Sequence, residues 1–201
     1  VHYFCWDLTN DKTLASLTFM ITVISGTNRV GNNTIKIARH VAALYRGMGE
    51  TVALLDLQEL PAAAYVPEVF GEKPAALSDG FTDKVLAADG LVVLIPEYNG
   101  SFPGILKHFV DLLPFPESFD CRPVAFIGLA AGYHGALRAV EQMQMVFAYR
   151  NAYLFNRRVF IPSVYKVLGD DGELTDADLK QRLEEQAIRF QAFVGALKSV
   201  R

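Results

Sequence analysis

The stretch VISGTNRVGNNT, residues 23–34, joins a short apolar run to a segment of small hydrogen-bonding side chains. The apolar run begins at Met20 as MITVIS, residues 20–25, and its β-branched residues favour a buried strand. Residues 34–47 then carry apolar side chains at helical spacing, followed by a glycine at 49 that favours a helix end. A strand and a helix joined in this way are the opening unit of an α/β fold.

The same alternation of apolar run and helical spacing continues along the chain. We predict further strands over residues 51–57, at the start of 91–100, over 122–130 and over 152–161, and helices over 77–88, 103–113, 135–150 and 171–199. Five βα units predict one α/β domain, a doubly wound five-stranded parallel sheet in three layers, α/β/α. Thr175 is the predicted N-cap of the last helix, because Asp178 stands three residues on as in a capping box.

Composition excludes several function classes. The 201 residues are 51% apolar and carry a formal charge of -3, so no basic surface favours binding to nucleic acid. No polybasic run suits a membrane surface, and no apolar run reaches the ~20 residues of a membrane span. Two cysteines, Cys5 and Cys121, are too few for a disulfide scaffold and indicate reduced thiols in a cytoplasmic protein.

The first nineteen residues do not fit the α/β pattern. They lack the basic start of a signal peptide and contain Asp7 and Asp11. We therefore expect residues 1–19 to be an extension of uncertain role, and residues 20–201 to be the domain.

Three predicted loops follow strands near the middle of the sheet: residues 26–33, 96–103 and 130–135. In a doubly wound sheet, ligands bind outside the carboxyl ends of the strands. Each loop contains glycine and polar or aromatic residues. Their convergence at one edge predicts a ligand site there.

The first loop has the donors that a phosphate needs. It ends at a helix N-terminus, whose free N–H groups and dipole favour an anion. Thr27, Asn32, Asn33 and Thr34 add neutral donors, and Arg29 adds a charged one. The loop is neither GxGxxG nor GxxxxGK[ST], so a single phosphate on a mononucleotide fits better than a dinucleotide or ATP. The alternative is an ordinary strand–helix turn rich in Asn and Gly.

The other two loops suit a planar ring. In PEYNGSFPG, residues 96–104, Tyr98 and Phe102 offer flat faces, while residues 99–101 are small and polar. In the third loop Tyr133 and His134 stand between two glycines. The alternative is that both loops are crossover turns whose aromatic residues cover the core.

At these loops the chain resembles the NADPH-dependent FMN reductase family, which has a flavodoxin-like fold and includes quinone, chromate and azo-compound reductases. GTNRVGNNT is similar to the family's G-[ST]-x-R-x-x-S-x-[NT], with Asn32 in place of serine. PEYNGSFPG matches P-E-Y-N-x-S-x-P-G at every fixed position, and Leu106, Lys107 and Asp111 resemble its LK-x-x-x-D pattern. The third loop departs from the family, since a paired glycine is replaced by Tyr133-His134-Gly135.

The resemblance implies FMN as the cofactor, with its phosphate on the first loop and its ribityl chain and ring along the other two. By position, the implied phosphate ligands are Thr27, Arg29, Asn32, Asn33 and Thr34; the residues along the ribityl chain and ring edge are Pro96, Glu97, Tyr98, Asn99 and Ser101; those bordering the ring are Gly132, Tyr133 and His134.

The implied activity is hydride transfer from NADPH or NADH to FMN and on to a small-molecule acceptor such as a quinone, an azo compound or a metal oxyanion. No side chain is expected to act as acid or base. The resemblance also implies a homodimer or homotetramer, for which Phe109, Leu112, Leu113 and Phe115 are candidate contacts, the alternative being that they face the core. An FMN-binding electron-transfer protein and a nucleotide-binding module without redox chemistry remain the other possibilities.

Overall fold

The predicted alternation of strands and helices is present in a computed structural model of the chain, which describes residues 18–66 and 75–198. The strands are β1 Met20–Ser25, β2 Thr51–Asp56, β3 Gly90–Pro96, β4 Pro123–Leu129, β5 Tyr153–Leu154 and β6 Val159–Ile161. The α-helices are α1 Asn33–Gly47, α2 Ala75–Leu77, α3 Asp83–Leu86, α4 Gly104–Leu112, α5 Leu137–Tyr149 and α6 Ala177–Lys198. A π-helical turn, Ser78–Thr82, joins α2 to α3, so one helical segment stands where residues 77–88 were predicted to be helical.

All the strand pairs in the sheet are parallel, and the order is β2-β1-β3-β4-β5. This order is that of the flavodoxin-like doubly wound fold, which the sequence predicted. The apolar side chains of β3 and β4 are buried along the whole of both strands, because helices cover the sheet on its two faces.

The fifth position of the sheet is occupied by two short strands and not by one. β5 pairs with the start of β4, where Tyr153 is opposite Pro123, and β6 pairs with its end, where Val159 is opposite Ile127. The chain leaves β4 after Phe155, whose N–H still donates to the carbonyl oxygen of Val124 at 2.9 Å, and pairs with it again at Val159. The buried side-chain amide of Gln186 on α6 donates there to the carbonyl oxygen of Phe126, at 3.0 Å. The continuous strand predicted over residues 152–161 is therefore wrong in its middle.

Two apolar clusters cover the two faces of the sheet. One packs α1 and α6 against it, and the other packs the helical segment 75–86, α4 and α5 on the opposite face. Phe109, Leu112 and Leu113 are at most 4% exposed in the second cluster, so the hypothesis that they supply an interface is wrong. Phe115, by contrast, is 65% exposed.

The described structure begins at residue 18, so the predicted extension falls almost wholly outside the described residues. Phe19, which the sequence assigned to the extension, is buried in the α1 and α6 cluster. Its carbonyl oxygen accepts the N–H of Thr51 at 3.0 Å. The packed domain therefore includes Phe19.

The N-cap of the last helix lies one residue later than predicted. Asp176 accepts the N–H of Leu179 at 2.7 Å, which is the contact of an N-cap side chain. The hydroxyl of Thr175 instead donates to the carbonyl oxygen of Val167, so the prediction of Thr175 as the N-cap is wrong. None of the helices over residues 18–66 and 75–198 is both long and apolar enough to cross a membrane.

Candidate functional site

A cleft of about 290 Å³ opens at the carboxyl ends of β1, β3 and β4. The chain leaves β1 for α1 on one face of the sheet and leaves β3 for α4 on the other. Such a change of direction opens a crevice between the two strands. The lining residues are Arg29, Val30, Gly31, Asn32, Asn33, Thr34, Pro96, Glu97, Tyr98, Leu129, Ala130, Ala131 and Val164.

The first loop presents unpaired donors to this cleft. Asn32 is the N-cap of α1: its side-chain oxygen accepts the N–H of Ile35 at 2.8 Å, and its amide donates to the carbonyl oxygen of Arg29 at 2.6 Å. Asn33 and Thr34 are the first two residues of α1, so their N–H groups have no partner inside the helix. The exposed guanidinium of Arg29 has no hydrogen-bonding or acidic partner within the described residues.

Gly26 holds the first loop close to the sheet. Its N–H donates to the carbonyl oxygen of Leu94 on β3 at 3.0 Å. A Cβ added at Gly26 would lie 2.5 Å from that same oxygen and 3.1 Å from the side chain of Leu106. A side chain at this position would therefore push the loop away from β3.

Thr27 and Tyr98 connect the first two loops beneath the cleft. Thr27 is fully buried, and its hydroxyl lies 2.7 Å from the hydroxyl of Tyr98. It also accepts the N–H of Arg29 at 3.3 Å. Thr27, which was predicted to contact the phosphate, does not line the cleft; its contacts instead fix Tyr98, which does.

The second loop contacts the cleft with its first residues and helix α5 with Ser101. Asn99 and Gly100 both have positive φ, of 51° and 76°, in a tight turn closed by paired hydrogen bonds between Tyr98 and Ser101. The hydroxyl of Ser101 donates to Oε1 of Gln142 on α5 at 2.6 Å. Asn99 and Ser101 are thus outside the cleft lining, while Pro96, Glu97 and Tyr98 belong to it.

The third loop reaches the cleft through its first residues. Gly132, Tyr133 and His134 are exposed, with Tyr133 92% exposed, and none of the three lines the cleft. The residues that line it are Leu129, Ala130 and Ala131, at the end of β4.

Some lining residues were not predicted from the sequence. Leu129, Ala130 and Ala131 were detectable as the carboxyl end of a predicted strand, whereas Val30 and Gly31 lie inside the recognised first motif. Val164 carries no sequence signal. It reaches the cleft because its N–H donates to the carbonyl oxygen of Ala130 at 3.0 Å.

Comparisons with known proteins agree with this geometry. A family model described as NADPH-dependent FMN reductase matches residues 19–166. An NAD(P)H-dependent FMN reductase of Pseudomonas aeruginosa is 28% identical over 181 residues, which cover 87% of this chain and 95% of the relative. An NADPH azoreductase of a Bacillus species is 29% identical over 181 residues, covering 90% of this chain and 96% of the relative.

Solved structures show the same fold. The flavoenzyme FerB of Paracoccus denitrificans, an NAD(P)H:(acceptor) oxidoreductase, superposes with a TM-score of 0.74 at 22% identity, covering 88% of this chain and 97% of that one. A flavodoxin from the Archaea gives a TM-score of 0.58 at 13% identity, covering 87% of this chain and 97% of that one. Since the family model spans well over half of the sequence, the chain belongs to the NADPH-dependent FMN reductase family and is an oxidoreductase of flavodoxin-like fold.

Proposed function

We propose that this enzyme transfers hydride from NADPH or NADH to FMN in the cleft, and from there to a quinone or an azo compound. One observation carries the proposal: the donors at the start of α1, the free Arg29 and the wall formed by Tyr98 meet in a single cleft. The acceptors are suggested by the Bacillus NADPH azoreductase and by an Escherichia coli quinone reductase, which is 27% identical over 184 residues covering 89% of this chain and 96% of the relative.

The residues that line the cleft fit FMN. The N–H groups of Asn33 and Thr34 and the guanidinium of Arg29 are donors without partners in the described structure, and a phosphate ester supplies several acceptor oxygens. Leu129 and Val164 add apolar surface to the same cleft, as the ring requires. The donors at one end of the cleft therefore suit the phosphate of FMN, and the apolar wall suits its ring.

When bound, FMN supplies the redox chemistry, accepting hydride from the nicotinamide and giving it to the acceptor. The chain's own residues bind and orient. Arg29 would bind the phosphate and offset its charge, and the hydroxyl of Thr27 fixes the position of Tyr98 in the wall of the cleft. We assign no proton transfer to a side chain, so the chain's contribution is position and electrostatics.

Anaerobic mixing tests the activity. We expect protein loaded with FMN to lose its flavin absorbance when NADPH or NADH is added, and to regain it when a quinone or an azo dye follows. Metal oxyanions, the third acceptor class implied by the resemblance, are assayed beside them. A protein that binds FMN but keeps its absorbance with both nucleotides would be an electron-transfer flavoprotein. A protein that does not bind FMN would remove the proposal for the cleft.

We propose that the chain forms a homodimer or homotetramer through α4 and α5. Met145 and Tyr149 on α5 are 68% and 84% exposed, beside a groove of about 410 Å³ between the two helices, and Phe115 follows α4. Exposed apolar patches of this kind mark protein interfaces. We expect the double variant Met145→Glu/Tyr149→Glu to have a lower oligomeric state, which light scattering measures. Tyr165→Glu is the control and should leave the oligomeric state unchanged, because Tyr165 is 59% exposed and lies outside this groove.

We propose a cytoplasmic location on the basis of thiol chemistry. Cys121 is a free, half-buried thiol, the state that reducing compartments maintain. Recovery of the enzyme in the periplasmic or extracellular fraction of its host would contradict this location.

A further inference from the structure

Four arginines surround a second, smaller pocket between the interrupted fifth strand and α6. Its volume is about 140 Å³, and it is lined by Arg157, Arg158, Val159, Arg182, Glu185, Gln186 and Arg189. Its lining contains four arginines and a single carboxylate, Glu185, although the whole chain has a formal charge of -3. We call this the arginine pocket.

The fold brings these arginines together from two directions. Arg182, Glu185, Gln186 and Arg189 are spaced three and four residues apart, so they share one face of α6. Residues 157 and 158 lie where the chain leaves the sheet between β5 and β6. Gln186, which is 4% exposed, connects the two sides, because its amide also donates to the carbonyl oxygen of Arg157 at 2.7 Å.

Two of the four arginines are neutralised within the protein. Arg182 pairs with Asp178 at 2.9 Å, and Arg158 lies 3.8 Å from Glu141. The side chains of Arg157 and Arg189 have no acidic or hydrogen-bonding partner over residues 18–66 and 75–198. Like charges that line one pocket raise the free energy of the folded protein unless an anion joins them. Two open guanidinium forks are the donor set that a phosphate binds most strongly.

We propose that the arginine pocket binds a phosphate group, and that this site is separate from the FMN cleft. None of its lining residues is shared with the cleft. Its small volume suits a single phosphate, either as the free ion or as the monoester of a nucleotide. The phosphate offsets the positive charges of Arg157 and Arg189, which are its principal ligands.

Calorimetric titration of inorganic phosphate into protein saturated with FMN tests the site, because FMN already fills the first phosphate position. We expect binding to the unaltered protein and a loss of about tenfold or more in affinity for the Arg157→Ala/Arg189→Ala variant. Both residues are exposed, so the variant should fold. Arg46→Ala is the control and should leave the affinity unchanged, because Arg46 is an exposed helical arginine whose side chain bonds, among the described residues, only the carbonyl oxygen of Val52.

Absence of phosphate binding at millimolar concentration, or an equal loss in Arg46→Ala, would overturn the proposal. Where phosphate binds, competition identifies its source. Displacement by NADP⁺ but not by NAD⁺, which lacks only the 2′-phosphate, assigns the pocket to a nucleotide monoester. Failure of both to displace phosphate assigns it to the free ion.

Discussion

At the scale of single residues, Arg29 is the sharpest test of the cleft. Its guanidinium is exposed and has no partner in the described structure, so removing it leaves no buried charge unpaired. We expect Arg29→Ala to weaken FMN binding by about 1.5–3 kcal/mol, the scale of a hydrogen bond to a charged group. Titration of apoprotein with FMN measures this loss. Arg46→Ala removes the same charge from the other end of α1 and should have no effect; equal affinities for all three proteins would mean that the loop binds something else.

Gly26 tests whether the first loop must lie against β3. A methyl group there would meet the carbonyl oxygen of Leu94 at 2.5 Å, so the backbone must move. We expect Gly26→Ala to lower the free energy of unfolding by about 1–3 kcal/mol, as overpacking does, and to weaken FMN binding as well. Urea denaturation and FMN titration measure the two effects. Gly47→Ala is the matched control and should be neutral or slightly stabilising, because the added carbon meets no atom of the described residues within 4 Å beyond its chain neighbours and the backbone of its own helix.

The sequence predicted the type of residues in the cleft better than the direction of each side chain. Arg29, Asn33 and Thr34 line the cleft, because a loop that ends at a helix N-terminus fixes their position locally, and their contact with a phosphate stays a prediction. Thr27 and Ser101 belong to the same motifs, yet their hydroxyls contact Tyr98 and Gln142. Those partners lie 71 and 41 residues away in the sequence, so no local pattern could reveal the contacts.

At the scale of elements, the periodicity of apolar residues predicted the order of strands and helices. It did not predict the N-cap of α6 or the interruption between β5 and β6. The break in the fifth strand depends on Gln186, an amide from a distant helix that takes the place of a backbone donor. An apolar run cannot report such a replacement. The run from 152 to 161 therefore indicated a strand at that position but not its division into β5 and β6.

The N-cap of α6 gives a prediction at this scale. Asp176 is exposed, and its side chain accepts the N–H of Leu179 at 2.7 Å. We expect Asp176→Ala to lower the free energy of unfolding by about 1 kcal/mol, the usual loss for an N-cap. Asp176→Asn keeps the acceptor oxygen and should restore most of the stability. Urea denaturation of the three proteins measures this, and an alanine variant as stable as the asparagine variant would show that the cap contributes nothing.

At the scale of the whole molecule, His40 couples the stability of the domain to pH. Burial lowers the pKa of His40 below its ordinary value of 6.5, and the positive charge of Lys180 lowers it further, while Glu173 acts in the opposite direction. Its Nε2 is buried without a hydrogen-bond partner among the described residues. Folding therefore favours the neutral form of the imidazole.

The sign of the effect follows from proton binding. Because the pKa of His40 is lower in the folded state, the unfolded chain binds more protons near neutral pH, and stability rises with pH there. This contribution to stability is complete above the pKa that His40 has in the unfolded chain. It is lost as pH falls towards the lower pKa of the folded state. Between about pH 7 and pH 5, the free energy of unfolding should fall less for His40→Gln than for the unaltered protein. His134→Gln, at an exposed position, should keep the full decline. Parallel declines in all three proteins would show that protonation of His40 does not oppose folding.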